Sequence, residues 1–177
     1  NAAFNEERKN LANCRSGEYE GLKEKLKKRD WKPDFGPSSL NARSGATGVG
    51  ARDFLVAYNI NLNTTCEHHF LPIIGKAHVA YISSGKVIGL SKLNRIVKYY
   101  SDRPQVQERL TTQIYNELIS VLDTENVMVV IDAKHLCVTS RGIIDDSCST
   151  ITQMYGGDFN VYNKRNEFHK LLNSGIK

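Results

Sequence analysis

Apolar and polar positions change rhythm several times along this chain, and each rhythm predicts an element. Phe54, Val56, Tyr58, Ile60 and Leu62 alternate with less apolar neighbours, the period of a half-buried strand. Residues 73–82 repeat the strand signal after Pro72 and close on the turn formers Ser83, Ser84 and Gly85. The period then lengthens: Leu93, Ile96, Val97 and Tyr100 fall at helical spacing behind Ser91, a suitable N-cap. Pro104 separates this helix from a second and suits its first turn, after which Val106, Leu110, Ile114, Leu118 and Val121 form one apolar stripe. Residues 126–139 return to strand, opening on Val127, Met128, Val129, Val130 and Ile131. Residues 148–155 predict a returning strand, and residues 165–172 a short final helix. This order of strand, strand, helix, helix, strand, strand predicts an α+β domain with an antiparallel sheet, because runs of strands and a helix pair replace strict alternation.

Upstream the pattern is weaker. Residues 17–30 place Tyr19, Leu22 and Leu26 on one helical face, beside a basic run of Lys23, Lys25, Lys27, Lys28 and Arg29. Residues 37–50 are rich in Gly, Ser and Pro, and Gly45, Gly48 and Gly50 lack the Gly-Lys-Ser/Thr ending of a phosphate loop. Residues 1–52 therefore read as a helical segment and connector ahead of a domain over 53–177.

Composition narrows the partners. The 177 residues are 40% hydrophobic, and no apolar run reaches a membrane span. No secretory signal opens the sequence, so the compartment is expected to be cytoplasmic and reducing. A net charge of +5 favours anionic partners, either a nucleoside triphosphate or a nucleic acid. The lack of a stacking-aromatic pattern argues against nucleic acid. Cysteines at 14, 66, 137 and 148 are expected as metal ligands or free thiols rather than disulfides.

The candidate chemistry lies in Cys66, Glu67, His68 and His69, answered by His135 and Cys137. On an extended strand, residues i and i+3 face opposite sides, so Cys66 and His69 can share an ion only if the chain turns at Glu67 and His68. His135 and Cys137, two apart on a strand, would face the same side. Cys66, His69 and Cys137 then offer three ligands and an open fourth position, the pattern of a catalytic zinc. His68 and His135 stay free to move protons, since imidazole titrates near working pH. The bland alternatives are a Cys66–Cys137 disulfide and a His135 satisfied within the core. His78 and His169 stand alone and receive no role.

A second group gathers on the helix pair. Ser91, Lys92 and Arg95 lie near a helix N-terminus, where backbone N–H groups, a hydroxyl and a guanidinium suit phosphate, and Arg141 can add charge. Gln107 and Glu108 open the second helix. A carboxylate there can accept two parallel hydrogen bonds from guanine, or simply complement the helix dipole.

Four blocks carry a family resemblance: 65–70 (Thr-Cys-Glu-His-His-Phe), 87–97 (Val-Ile-Gly-Leu-Ser-Lys-Leu-Asn-Arg-Ile-Val), 103–110 (Arg-Pro-Gln-Val-Gln-Glu-Arg-Leu) and 135–142 (His-Leu-Cys-Val-Thr-Ser-Arg-Gly). Long, ordered and correctly interspersed over roughly residues 53–172, they resemble GTP cyclohydrolase I. The resemblance implies the tunnelling fold, with ββααββ order, assembling into a ring. Its members form homodecamers of two pentamers with sites between subunits. It implies a zinc (Zn2+) enzyme that hydrolyses GTP to 7,8-dihydroneopterin triphosphate and formate, the first step of pterin and folate-type biosynthesis, with no nucleic-acid or membrane partner. It also implies Cys66, His69 and Cys137 as zinc ligands and His68 and His135 as acid–base histidines. Glu108 with Gln107 would hold guanine, Ser91, Lys92, Arg95 and Arg141 would receive the triphosphate, and Glu67 would line the pocket. The chain departs from the family in lacking an upstream Thr-Pro-x-Arg motif within residues 1–50. That departure motivates one alternative, a catalytically silent tunnelling-fold protein that binds GTP or a pterin as a regulator.

Overall fold

The computed structural model describes residues 54–85 and 87–175. The helix expected over 17–30, its basic run, the connector and the boundary at 52/53 lie outside the described residues. Strand β1 (Leu55–Cys66) pairs antiparallel with β2 (Pro72–Tyr81), and β2 pairs antiparallel with β4 (Val127–His135). Strand β5 (Thr150–Tyr155) completes that side. Between β2 and β4 run helices α1 (Leu90–Ser101) and α2 (Gln107–Leu122), separated by a two-residue strand β3 (Pro104–Gln105) parallel to the end of β1. The sheet order is β3-β1-β2-β4-β5. A single helical turn, α3 (Leu136–Thr139), follows β4, and a 3-10 turn (Gly157–Asn160) leads into the final helix α4 (Tyr162–Gly175). The α+β class and the ββααββ order of a tunnelling fold are both present. Among the described residues no helix is long and apolar enough to cross a membrane.

The helix pair covers one face of the sheet. Ile60, Ala77, Ile131 and Thr152 stand in a row across the strands. Thr152 hydrogen-bonds to Gln107 and Thr111 of α2, which identifies the covered face. Leu93, Ile96 and Val97 of α1 and Leu110, Ile114, Leu118 and Leu122 of α2 are buried against it. A row three positions along, Val56, Ala80, Met128 and Tyr155, points the other way, onto Phe159, Phe168 and Leu172. With both faces covered, β4 is buried from Val127 to Ile131, which is why its sequence is a continuous apolar run rather than an alternation.

Strand β1 departs from the strict alternation expected of it. Ala57 faces Val79 and Ile60 faces Ala77, so Tyr58 and Asn59 together oppose His78. Asn59 takes a left-handed conformation (φ 58°), and the bulge flips the strand. Phe54 and Val56 pack towards α4, while Ile60 and Leu62 pack on the helix pair. Tyr58 falls out at the bulge and is 51% exposed. The extra residue leaves a backbone N–H without a ladder partner. Asn59 donates it to His78 Nδ1 at 3.3 Å, which gives this histidine a structural role.

The accepting nitrogen must be unprotonated, and burial, with Lys76 nearby, lowers the His78 pKa against an opposing pull from Asp132. A depressed folded pKa stabilises the protein above the unfolded value and loses that contribution as pH falls through the folded value. Urea unfolding midpoints should therefore decline as pH drops below 6.5, the ordinary imidazole value. His78→Gln, which keeps an acceptor that does not titrate, should flatten that slope.

Four local expectations change. Ser91 is not the N-cap: α1 begins at Leu90 with Gly89 as its cap, and no side chain caps it. Pro104 is not in the first turn of α2, which starts at Gln107; it lies in β3, paired with Thr65 of β1. Having no N–H to give, proline is tolerated on this short outer strand. The strand expected through residue 139 ends at His135. Its ladder with β2 runs out at the pair Ile73–His135, beside Pro72, so the following backbone finds its hydrogen bonds within the turn α3, where the Ser140 amide bonds Leu136 O at 2.9 Å. The last helix starts at Tyr162, earlier than expected.

Candidate active site

Cys66 is the last residue of β1, and the chain turns there as its spacing to His69 requires. The Cys66 carbonyl accepts the Phe70 amide at 2.8 Å, and the Cys66 amide donates to Leu71 O at 2.8 Å. Phe70 is left-handed (φ 53°), which closes the reversal into β2. The turn brings His69 Nδ1 to 3.7 Å from Cys66 Sγ. From the far side of the sheet end, α3 delivers Cys137, although by a helical turn rather than by strand alternation. The ligand atoms of Cys66, His69 and Cys137 all lie within 4.8 Å of one another. All three cysteines among the described residues, Cys66, Cys137 and Cys148, are free thiols, so the Cys66–Cys137 disulfide is not formed.

This donor set fits a zinc ion. A tetrahedral zinc with ordinary bond lengths to sulfur and nitrogen holds such atoms about 3.6 Å apart, close to the separation of Cys66 and His69. The electrostatics agree. Burial, the neighbouring Cys66 and a hydrogen bond with it push the Cys137 thiol up. Burial, then Arg141, then His68 push the His69 pKa down. A divalent cation held among these three side chains would reverse the penalty on the Cys137 thiolate. Cys66 is buried, Cys137 half-buried and His69 exposed, so the cluster opens to solvent on the histidine side.

His135 caps the end of β4 beside the cluster, and Gln107 holds it. The Gln107 amide nitrogen donates to Ile131 O at 3.2 Å, Thr150 O at 2.8 Å and Thr152 Oγ1 at 3.1 Å. The amide oxygen therefore faces His135 Nε2, at 2.7 Å. Nε2 must carry the hydrogen, and Nδ1 is left to accept or give a proton. Burial lowers the His135 pKa, and the carboxylate of Glu108 acts against it. Gln107, expected beside Glu108 against guanine, is 1% exposed, and its amide meets the sheet and His135. Sequence could not distinguish a polar side chain facing the core from one facing a ligand.

The other expected residues fall into two places. Glu108 is exposed in the first turn of α2, Arg141 is exposed just past α3, and His68 is exposed on the turn beside His69. Arg141 and His68 act electrostatically on His69, and Glu108 on His135. Ser91, Lys92 and Arg95 sit in the first turns of α1, and among the described residues no hydrogen bond or ion pair joins them to the cluster. Glu67 lies under the turn, with its carboxylate paired to Arg109. Arg109 had no role in the sequence reading, and no spacing signal links it to Glu67.

Fold and cluster together define an α+β protein of the tunnelling type, with a Cys/His/Cys group of metal-binding geometry at one end of its sheet. The chain belongs to the GTP cyclohydrolase I family, whose model matches residues 24–173. It is 64% identical over 116 residues to GTP cyclohydrolase 1 of Flavobacterium johnsoniae, covering 66% of this chain and 52% of that one. It is 52% identical over 124 residues to GTP cyclohydrolase 1 of Baumannia cicadellinicola, covering 70% of this chain and 56% of that one. The chain thus spans about half the length of these curated relatives. Among solved structures, the apo form of the archaeosine synthase QueF-Like aligns with 59% of this chain and 94% of that one, at a TM-score of 0.49 and 14% identity.

Proposed function

We propose that this chain is a zinc-dependent GTP cyclohydrolase I, converting GTP and water to 7,8-dihydroneopterin triphosphate and formate. The observation that carries the reading is the Cys66, His69 and Cys137 cluster with a tautomer-fixed His135 beside it. Zinc held there supplies Lewis acidity that brings deprotonation of a water towards neutral pH. His135 Nδ1, left free by Gln107, takes or gives a proton at the guanine ring, and His68 on the exposed turn exchanges protons with solvent. Glu108 accepts the ring N–H and exocyclic amine of guanine, a donor pair adenine does not present. Arg141 meets the triphosphate from beyond α3, and Ser91, Lys92 and Arg95 offer a second phosphate-binding group at the start of α1.

An oligomer suits this division. Among the described residues, strand β5 pairs with β4 alone, and β1 has a second partner only at Thr65 and Cys66. Among the described strands, β5 and most of β1 present edges that can take another strand, and Ile151 on β5 is 64% exposed. We read these edges as the joints of a ring, with the α1 phosphate group of one copy serving the cluster of the next.

The reading is tested by incubating the zinc-loaded chain with GTP and following formate and, after oxidation, neopterin fluorescence. Turnover that a chelator abolishes and zinc restores is expected. GTP binding without product, with zinc present, would favour a silent regulatory protein.

A further inference from the structure

The turn that presents His68 and His69 has little packing to hold it. His68, His69 and Phe70 are all exposed. Its backbone is tied by the bonds within the turn and by one to a neighbour, the Glu67 amide donating to Gln105 O at 3.0 Å. A metal ligand on such a turn keeps its place only if something outside the turn fixes it. The Glu67 side chain reaches α2 and pairs with Arg109 Nη2. Arg109 is itself anchored, its Nε donating to Gln105 Oε1 at 3.2 Å. Gln105 is 1% exposed, and its amide nitrogen is bound to Tyr100 O at 2.8 Å and Gln113 Oε1 at 2.9 Å. A continuous path thus runs from the buried frame of the helix pair through Arg109 to the residue between Cys66 and the two histidines.

We propose that Arg109 is a positioning residue for the metal site: its ion pair with Glu67 holds the ligand turn where His69 can share an ion with Cys66 and Cys137. The inference rests on reading those three residues as zinc ligands. It gives the first turn of α2 two tasks, since Gln107 sets His135 from the same turn that Arg109 uses to set His69. It also gives Glu67 a purpose other than lining a substrate pocket. The pair is partly exposed, with side-chain exposures of 45% for Arg109 and 18% for Glu67, and such pairs contribute little to global stability. Its effect should therefore appear in metal affinity, where loss of an outer partner typically costs about 10- to 100-fold.

The test is zinc affinity of the full chain, by competition with a chromophoric chelator, beside the melting temperature of the metal-free protein. Arg109→Leu should bind zinc at least about tenfold more weakly, with metal-free melting near that of the parent, and Arg109→Lys should recover part of the affinity. Glu67→Gln should match Arg109→Leu, and the double variant should be no weaker than either single one. Parental zinc affinity in Arg109→Leu, or losses that simply add in the double variant, would overturn the proposal. If Arg109→Leu melts far below the parent, Glu67→Gln decides by the same criterion. A parent chain that takes up no zinc would instead overturn the metal reading itself.

Discussion

Cys137→Ser is expected to empty the metal site and reduce GTP turnover to background while leaving the fold in place. A thiol is more acidic than a hydroxyl and its thiolate is a soft donor, whereas a serine hydroxyl does not ionise at neutral pH to replace it. Removing it leaves Cys66 at the end of β1 and His69 on the exposed turn as the two remaining candidate ligands. The fold should tolerate the change because Cys137 is half-buried in the one-turn α3 and belongs to neither apolar core. Zinc per chain after dialysis, read with formate release, checks both halves of the expectation. Retention of one zinc per chain in the variant would remove Cys137 from the ligand set.

His135→Ala should do the opposite, keeping the metal and losing the proton transfer. Removing a positioned acid–base group lowers turnover by about 10²- to 10⁴-fold. The KM for GTP should move far less, because the proposed role of His135 is proton transfer at the guanine ring and not contact with the triphosphate. Some stability is lost as well. Gln107 Oε1 loses the donor it now meets at 2.7 Å, and an unsatisfied buried acceptor costs about 1–3 kcal/mol. Turnover within a few-fold of the parent, with zinc bound, would show that His135 does not carry the proton.

What could be read from the sequence, and what could not, follows from the range of each interaction. The turn after Cys66 was legible because two ligands three apart cannot share an ion from a straight strand. The helix pair was legible because Leu93, Ile96 and Val97 and then Leu110, Ile114 and Leu118 repeat at helical spacing, and all six are buried. The bulge at Asn59 was hidden because Tyr58 keeps the alternation intact while the chain beneath it changes phase. The end of β4 was hidden too: apolar residues continue through Leu136 and Val138, and only the absence of a partner strand beyond Ile73 ends the ladder. Gln107 and Arg109 illustrate the same limit at the site. One is spoken for by Ile131, Thr150, Thr152 and His135 and the other by Glu67 and Gln105, and most of these partners lie far off along the chain.

The central claim is that this chain opens the guanine ring of GTP at C8, and GTP isotopically labelled at C8 tests it most directly. Incubated with the zinc-loaded chain, the labelled nucleotide should give formate carrying the label, in equal amount to an unlabelled pterin triphosphate. Labelled GTP recovered intact beside fully zinc-occupied protein would contradict the account.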